Sequence, residues 1–291
     1  MIAILALSPA LDVTYDLDAL RHGEINRPLA TTAVAGGKAL NAARAARALG
    51  ADVHVTVALG GENGERVRRM LRADGVAMTE VALAAETRTC LALVEAGGGA
   101  SSTDVYEPAA PFGEHEWARF ADAVRSAPVA AWLGLSGSVP GGVRLEGLRA
   151  LLAEARSRGS RVALDTSGDA LGRLAGESDL LKVNRAEAAD LLGRDLSDAA
   201  AACAALHDRF GVDAVVTDGV RGGAALHDGE PHRLPAPQSV GRYPAGSGDS
   251  FFGGLLHALD RGFPFATALD LARDAAERNA RVPGQGVLAP V

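Results

Sequence analysis

The sequence predicts an α/β fold with a mainly parallel central sheet, helices on both faces of that sheet, and a second, smaller sheet. Two observations carry this prediction: short apolar runs alternate with segments of helical periodicity, and two segments break that alternation. Apolar runs without polar interruption are typical of strands that are buried on both faces. Ligands of such folds bind beyond the carboxyl ends of the strands, so we expect the functional residues there.

The predicted strands are the apolar runs over residues 1–7, 52–58, 129–135, 161–164, 180–183 and 214–217. The predicted helices, in which apolar residues recur with a helical period, cover residues 40–49, 65–73, 114–124, 145–156, 186–192 and 198–209. Because the two kinds of segment alternate, the strands are expected to run parallel, with helices layered on both sides.

Two segments, 12–34 and 87–106, break this rhythm. Their apolar residues alternate with other residues, and the second segment contains a loose glycine turn, which predicts β-hairpin pieces outside the main sheet. Together they are expected to form a small lid over about 12–35 and 84–110. The chain has no internal repeat and no low-complexity linker, so residues 1–291 are expected to form a single domain.

Composition excludes several classes of partner. The chain has 291 residues, 48% of them hydrophobic, and can bury one large core. Its formal net charge of −7 and its lack of a Lys/Arg run argue against binding to nucleic acid or to an anionic membrane surface. No stretch approaches the roughly 18 to 20 apolar residues of a membrane span. The two cysteines, Cys90 and Cys203, are too few for a disulfide framework or a zinc site, so we expect a cytoplasmic protein.

Residues 245–254 form the most informative segment, which combines two glycines with a carboxylate at the start of an apolar helix. Gly246 and Gly248 bracket the small Ser247, and such a turn gathers the backbone N–H groups of a first helical turn around an anion. Phosphate suits such a site. A carboxylate beside it needs a task, and Asp249 is a candidate base for a hydroxyl that attacks phosphorus. By itself, the segment also fits a glycine-rich turn with an N-cap residue.

A second glycine pair, Gly36 and Gly37, precedes an alanine-rich helix on which Lys38 and Asn41 lie one turn apart. This arrangement is a candidate site for a second polar ligand. Further motifs follow along the chain, at residues 9–12, 87–89, 135–140, 165–168 and 182–187. Together with the segment at Asp249, this set resembles the PfkB family of ribokinase-like carbohydrate kinases over nearly the whole chain.

The resemblance implies a ribokinase-like three-layer α/β/α fold and phosphoryl transfer from ATP to an alcohol. Asp249 would act as the base, and the backbone N–H groups of Gly246, Ser247, Gly248 and Asp249 would form the anion hole. Ser247 replaces the alanine that the family usually has, and a small residue is kept. A dehydrogenase or a P-loop enzyme is excluded, because neither glycine fingerprint is present.

The resemblance also implies a site for ATP and Mg²⁺. Asn184 and Glu187 are similar to the family element that holds the nucleotide phosphates and magnesium-bound water, so Glu187 would bind the metal through water. The same spacing fits a helix N-cap and its capping-box partner. Further nucleotide contacts would come from Lys182, Thr217, Gly219 and Asn279. The match weakens at Asp218, which either faces solvent or alters the ribose contact, and at Pro244, which replaces a threonine.

On the acceptor side, Asp12 and Asn41 are candidates for sugar hydroxyls, since carboxylate and amide groups pair well with vicinal diols. By itself Asp12 would also suit a turn. The resemblance places basic residues near a phosphate on the acceptor, and an arginine fork fits phosphate in a bidentate manner. The substrate-binding candidates are therefore Asp12, Gly36, Gly37, Lys38, Asn41, Arg88 and Ser138, with Arg27 and Glu107 as weaker ones.

Within the family, the motifs resemble those of the phosphosugar kinases: 1-phosphofructokinase, tagatose-6-phosphate kinase and the minor 6-phosphofructokinase. The expected activity is that of a 1-phosphofructokinase, which converts fructose 1-phosphate into fructose 1,6-bisphosphate. Alternatives are tagatose 6-phosphate or fructose 6-phosphate as the acceptor, a non-phosphorylated sugar or nucleoside, or a catalytically silent regulator that binds phosphosugars. The resemblance implies a homodimer through the lid, since phosphosugar kinases of this family commonly pair their lids, and the apolar alternation around Leu91 and Leu93 is consistent with that assembly.

Overall fold

The computed structural model describes residues 1–99 and 101–291. Its strands are β1 (Ile2–Ala6), β2 (Ala10–Leu17), β3 (Ala30–Gly36), β4 (Val53–Leu59), β5 (Ala77–Ala82), β6 (Arg88–Glu95), β7 (Thr103–Tyr106), β8 (Trp132–Ser136), β9 (Arg161–Asp165), β10 (Leu180–Asn184), β11 (Asp213–Thr217), β12 (Gly223–His227) and β13 (Glu230–Leu234). Its α-helices are α1 (Lys38–Ala48), α2 (Gly61–Ala73), α3 (Glu114–Ser126), α4 (Leu145–Ser157), α5 (Gly168–Leu174), α6 (Arg185–Leu192), α7 (Ala199–Phe210), α8 (Ser247–Asp260) and α9 (Phe265–Ala280).

Nine strands form the central sheet in the order β13-β12-β11-β10-β9-β8-β1-β4-β5. All neighbours from β11 to β5 pair in parallel, and only the hairpin β12–β13 at one edge is antiparallel. The predicted, mainly parallel sheet is confirmed. Because parallel strands end at one edge of a sheet, β1, β8, β9, β10 and β11 bring their carboxyl ends together there.

Helices cover both faces of this sheet, as predicted. Along β1, Ile2 and Ile4 pack with α1, α2, α8 and α9, whereas Ala3 and Leu5 pack on the opposite face with α3 to α7. This alternation follows from the two-residue period of a strand and explains why most residues of these strands are apolar on both faces. The predicted three-layer α/β/α architecture is confirmed.

Two glycines of α8 allow its neighbours to approach closely. A Cβ atom on Gly253 would lie 2.2 Å from the carbonyl oxygen of Ala42 on α1, and one on Gly254 would lie 3.0 Å from the Cβ atom of Ala275 on α9. Any side chain at Gly253 would therefore push α1 and α8 apart. The small residues thus pack α8 directly against the backbone of α1.

The second sheet, here called the small sheet, has the strand order β3-β2-β6-β7. It consists of the two predicted hairpins, β2–β3 and β6–β7, which are joined through parallel pairing of β2 with β6. Leu11 and Val13 of β2 pack into the main core, while Asp12 lies between them in the strand, on the other face. The small sheet therefore presents Asp12 to the carboxyl edge of the central sheet, where it contacts Gly37 and Asn41.

All predicted helices and strands are present, with ends that differ by at most four residues. The prediction omitted β5, α5, the β12–β13 hairpin and α9. No helix among the described residues combines the length and the apolar character needed to cross a membrane. Both cysteines are buried free thiols, and Cys203 lies in the core, as expected from its place on an alanine-rich helix.

Candidate active site

The start of α8 has the backbone of an anion hole. Gly246, the N-cap residue, has φ 83°, and a Cβ atom there would lie 2.8 Å from Cα and Cβ of Gln285, so that only glycine fits. The N–H of Ser247 donates to the carbonyl of Pro244 at 3.1 Å. Within the described residues, the N–H groups of Gly248 and Asp249 have no hydrogen-bond partner. These two donors are available to an anion at the positive end of the helix.

Asp249 lies beside these donors and is only 8% exposed. Its Oδ2 atom accepts a hydrogen bond of 2.9 Å from Nδ2 of Asn41. Burial, reinforced by the negative charge of Asp165, raises the pKa of the Asp249 carboxyl to about 6, although Lys38, Asn41 and Lys182 oppose this shift. The carboxylate is therefore a stronger base than an exposed aspartate and is still ionised at neutral pH.

This raised pKa predicts a pH dependence. A base must be unprotonated to accept a proton, so we expect kcat/KM to hold above about pH 6 and to fall below it as Asp249 of the free enzyme takes up a proton. The measurement is kcat/KM against pH, from initial rates at low sugar concentrations. A kcat/KM that stays constant from about pH 5 to pH 8 would contradict the assignment.

Asp12, Gly37 and Asn41 form a second polar cluster next to Asp249. Oδ2 of Asp12 accepts from the N–H of Gly37 at 3.1 Å and from Nδ2 of Asn41 at 3.2 Å. Burial raises the pKa of Asp12 to about 6, while these two hydrogen bonds oppose the shift. Within the described residues, Oδ1 of Asp12 and Oδ1 of Asn41 are buried without a hydrogen-bond donor. Two unpaired acceptors beside a base suit the hydroxyl groups of a sugar.

The glycine pair before α1 is required by this cluster. A Cβ atom on Gly36 would lie 1.9 Å from Cγ of Asp12. Gly37 has φ 86°, and a Cβ atom there would lie 2.8 Å from the carbonyl oxygen of Ser8. The two glycines therefore act by allowing Asp12 and the start of α1 to come into contact.

Lys38 and Lys182 flank the buried carboxylate of Asp165. The distances from their Nζ atoms to Oδ1 of Asp165 are 3.8 Å and 3.2 Å, respectively. Lys38 also lies 3.5 Å from Oε1 of Glu187, and the charge of Asp165, above all, raises the pKa of Lys38. Lys182 Nζ would lie 3.2 Å from a Cβ atom on Gly248, which places its ammonium group beside the anion hole.

Lys38 lies within the site. The resemblance implies a contact with a phosphate on the acceptor for this residue, and the structure places its ammonium group near Asp165 and Glu187 at the strand ends, where its charge also acts with that of Asp249. Sequence reasoning quoted Asp165 within a motif and gave it no role. The recurrence of polar residues after each buried strand was the signal that could have identified it.

Arg88 lies on the Asp12 side of the site, close enough for its charge to oppose the rise in the pKa of that carboxyl. Its Nη1 atom donates to the carbonyl of Glu107 at 3.0 Å and its Nη2 atom donates to the carbonyl of Ser8 at 3.2 Å. Its Nε atom is buried and, within the described residues, has neither a hydrogen-bond acceptor nor a carboxylate partner. The guanidinium group is thus held by two carbonyl groups and, among the described residues, by no ion pair. Ser138 lies nearby, with its Oγ atom 3.0 Å from Oγ of Ser8.

Asn184 and Glu187 form a capping box at the start of α6. The N–H of Glu187 donates to Oδ1 of Asn184 and the N–H of Asn184 donates to Oε2 of Glu187, both at 2.8 Å. The N-cap alternative is therefore realised in the structure, and it leaves a possible metal role open. One Glu187 oxygen caps the helix and the other faces Lys38. This carboxylate fits Mg²⁺ through an intervening water better than it fits direct ligation.

An apolar cleft of ≈ 320 Å³ adjoins the anion hole. Its lining includes Thr217, Gly219, Pro244, Ser247, Gly248 and Phe251. Its size and its position beyond β11 suit a nucleotide base. Asp218 does not line it: this carboxylate binds Arg185 at 3.2 Å and Arg221 at 2.7 Å, which lowers the pKa of Asp218.

Asn279 was predicted as a nucleotide contact, but the structure places it beneath the anion-hole loop with 0% exposure. Its Nδ2 atom donates to the carbonyl of Ala245 at 2.9 Å, and its Oδ1 atom accepts from the N–H of Gly286 at 2.7 Å and from Oγ of Ser250 at 3.0 Å. With its side chain fully used, Asn279 positions the loop.

Arg44 was missed by sequence reasoning. It is 7% exposed and donates to the carbonyls of Ala35 and Gln285 and to the carboxylate of Asp74. It thereby joins the small sheet, α1 and the segment beneath the anion hole. A basic residue within an alanine-rich helix gives no sign that it is buried, because arginine on such a helix usually faces water.

Comparisons with known proteins identify the family of this chain. The family model of the pfkB family of carbohydrate kinases matches residues 6–290. A 1-phosphofructokinase of Rhodobacter capsulatus is 34% identical over 277 residues, which cover 93% of this chain and 87% of the relative. The crystal structure of Escherichia coli phosphofructokinase-2 in complex with substrates and products superposes with a TM-score of 0.89 at 25% identity, and covers 96% of this chain and 92% of that chain.

The tetrameric inhibited form of the same E. coli enzyme superposes with a TM-score of 0.87, also at 25% identity, covering 96% of this chain and 93% of that chain. The chain therefore belongs to the pfkB family of carbohydrate kinases. The predicted family and the predicted class of enzyme are confirmed.

Proposed function

We propose that the protein transfers the γ-phosphoryl group of ATP to a hydroxyl group of a ketohexose phosphate, with fructose 1-phosphate as the acceptor that its similarity to a 1-phosphofructokinase favours. One observation carries the proposal: Asn41 joins the carboxylates of Asp12 and Asp249 by hydrogen bonds of 3.2 and 2.9 Å. A sugar held by Asp12 would thus lie next to a buried base. That base adjoins unpaired N–H donors at the start of α8.

The residues divide the reaction between them. Asp12 and Asn41 orient the acceptor so that one hydroxyl group faces Asp249. Asp249 takes the hydroxyl proton as the oxygen attacks phosphorus, and the bond from phosphorus to the ADP oxygen breaks. The N–H groups of Gly248 and Asp249, with the ammonium group of Lys182, stabilise the negative charge on the transferred group.

ATP and Mg²⁺ fit the residues on the nucleotide side. The cleft beyond β11 is apolar, as a base requires, and the anion hole next to it offers donors to phosphate. Glu187 would hold Mg²⁺ through water, and the ion would neutralise charge on the phosphate oxygens. The nucleotide contacts proposed for Thr217, Gly219 and Asn184 are consistent with their positions around this side of the site.

The phosphate already present on the acceptor is assigned to Arg88. Its guanidinium group forms no ion pair within 4 Å among the described residues, and the carboxylate that feels its charge on this side is that of Asp12, whose rise in pKa it opposes from a longer distance. A fixed, unpaired guanidinium beside the sugar site is suited to a substrate phosphate. A free sugar or nucleoside would leave that charge uncompensated.

The deciding experiment is a coupled assay of ADP formation with fructose 1-phosphate, fructose 6-phosphate, tagatose 6-phosphate and free fructose. We expect the highest kcat/KM with fructose 1-phosphate and the lowest with free fructose. Equal turnover of free fructose and of the phosphates would contradict a phosphosugar acceptor. Tight binding of a phosphosugar without ADP formation would instead favour the silent regulator, which the presence of Asp249 and its flanking glycines makes the weaker alternative.

We further propose a homodimer through the small sheet. Leu93 is half-buried and lines a surface hollow with Tyr15, and Val105, which pairs with Leu91 in register, is 53% exposed. These side chains share one face, because alternate residues of a strand point the same way. A second copy of the chain would cover this apolar face. We also propose that the protein binds a phosphosugar as its substrate and that it is located in the cytoplasm.

Replacing Leu93 by aspartate is expected to dissociate the dimer and to lower kcat/KM, since a charge cannot be buried in such an interface without a partner. Sedimentation at micromolar concentration, with activity measured in parallel, tests this. Val129→Asp is the matched control, because this valine is 52% exposed and lies outside the small sheet, between α3 and β8. It should change neither the oligomeric state nor kcat/KM. A fully active monomeric wild type would contradict the interface.

A further inference from the structure

A cluster of three side chains joins the small sheet to the loop that leads into the anion hole. Asp16 of β2 is 7% exposed, and its Oδ1 atom accepts a hydrogen bond of 2.9 Å from the hydroxyl of Tyr243 and forms an ion pair with Nη2 of Arg242 at 3.0 Å. Asp16 and Tyr243 are 227 residues apart in the sequence. Because the Asp16 carboxylate is buried and has two partners, it holds β2 of the small sheet against residues 242 and 243.

On one side, the connection leads to the acceptor. Asp12, Thr14 and Asp16 alternate along β2 and therefore share one face of the small sheet. Asp12 lies about 13 Å from Asp16, at about 3.3 Å per residue. Movement of β2 as a unit would thus shift the carboxylate that orients the sugar and the carboxylate that holds Tyr243 together.

On the other side, the connection leads to the nucleotide. Residues 241–246, here called the strap, carry Tyr243 and end at the N-cap glycine of α8. The N–H of Tyr243 donates to the carbonyl of Ala280 at 2.9 Å. A Cβ atom on Gly241 would lie 2.1 Å from the same carbonyl oxygen. The strap is therefore packed tightly on the end of α9, with Gly241 and Pro244 lining the nucleotide cleft.

We propose that Asp16, Arg242 and Tyr243 are positioning residues that couple acceptor binding to nucleotide binding. The inference rests on the proposed function, because it takes the Asp12 side as the acceptor site and the strap side as the nucleotide site. An acceptor that holds β2 in place also holds Tyr243 through Asp16, so the strap is supported from the small sheet as well as from the end of α9 when the nucleotide binds. Linkage requires the reverse effect to be equal in size.

The test compares the Kd of a non-hydrolysable ATP analogue with and without saturating fructose 1-phosphate, by calorimetry. We expect the sugar to tighten nucleotide binding by about fivefold or more in the wild type, and by less than about twofold in Tyr243→Phe. Tyr15→Phe is the matched control, since it removes a hydroxyl from the opposite face of β2, and it should keep the wild-type ratio. Asp16→Asn keeps an acceptor for Tyr243 and should retain most of the effect.

If Tyr243 is merely structural, Tyr243→Phe lowers the thermal midpoint but leaves the ratio of the two Kd values as in the wild type. That result would overturn the inference. If Tyr243→Phe does not fold, Asp16→Ala removes the connection from the small sheet and decides the matter by the same ratio. A wild type that binds both ligands without any coupling overturns the inference alone. A wild type that binds no phosphosugar overturns the proposed function, and the inference with it.

Discussion

Replacing Asp249 by asparagine is expected to lower kcat by about a hundredfold or more, since an amide keeps the shape of the side chain but cannot accept the hydroxyl proton. The hydrogen bond from Asn41 can persist, because the amide oxygen still accepts it. The KM for the sugar and the affinity for nucleotide should therefore change little. Steady-state kinetics measures the first effect, and binding of the ATP analogue measures the second.

The same variant should be more stable than the wild type at neutral pH. Burial raises the pKa of Asp249 in the folded protein from its ordinary value of 3.8 to about 6. The free energy of unfolding therefore falls as the pH rises from about 4 to about 6, because the unfolded chain loses this proton at a lower pH than the folded protein does. Asparagine avoids this cost, and its advantage in thermal midpoint should disappear below about pH 4. Near-normal kcat in the variant would contradict the role of Asp249 as the base.

Replacing Arg88 by alanine is expected to raise the KM for fructose 1-phosphate by about tenfold to a few hundredfold. A hydrogen bond between charged groups contributes about 1.5–3 kcal/mol, and removal of the guanidinium leaves the substrate phosphate without its partner. Because the charge serves binding and lies away from the reacting atoms, kcat should fall much less than kcat/KM. Initial rates across a range of sugar concentrations check this split.

Two controls sharpen the result for Arg88. Arg125→Ala removes a surface arginine, 46% exposed, that pairs with Asp122 and Glu154, and it should leave KM unchanged. Arg88→Lys keeps the charge but loses the planar fork, and should recover only part of the affinity. If Arg88→Ala and the wild type show the same KM, the acceptor phosphate binds elsewhere.

The sequence was sufficient for the central architecture because the buried strands are apolar on both faces. The omitted elements lack that pattern. Five of the six residues of β5 are not fully buried, so this edge strand has no continuous apolar run. In α9, alanine dominates the buried face, and a small side chain gives weak periodicity. The parallel pairing of β2 with β6 is a tertiary contact that neither hairpin encodes locally.

Site residues could be predicted where backbone geometry demands a particular residue type. Gly36, Gly37, Gly246 and Asp249 follow from this, since glycine and a carboxylate stand out at helix starts. Roles that depend on long-range partners could not be predicted. Lys38 turns toward carboxylates on β9 and α6, Asn279 is covered by the loop it holds, and the partners of Asp16 lie far along the chain.

The tight packing at Gly253 also limits where the protein can move. Asn41 lies on α1 and Asp249 lies on α8, and the backbones of the two helices touch where Gly253, one turn after Asp249, meets Ala42, the residue after Asn41. A hinge between the helices would have to break that contact, so Asn41 and the base Asp249 form one rigid unit, while Asp12 belongs to the small sheet. Entry of the sugar and release of the bisphosphate must therefore depend on displacement of the small sheet.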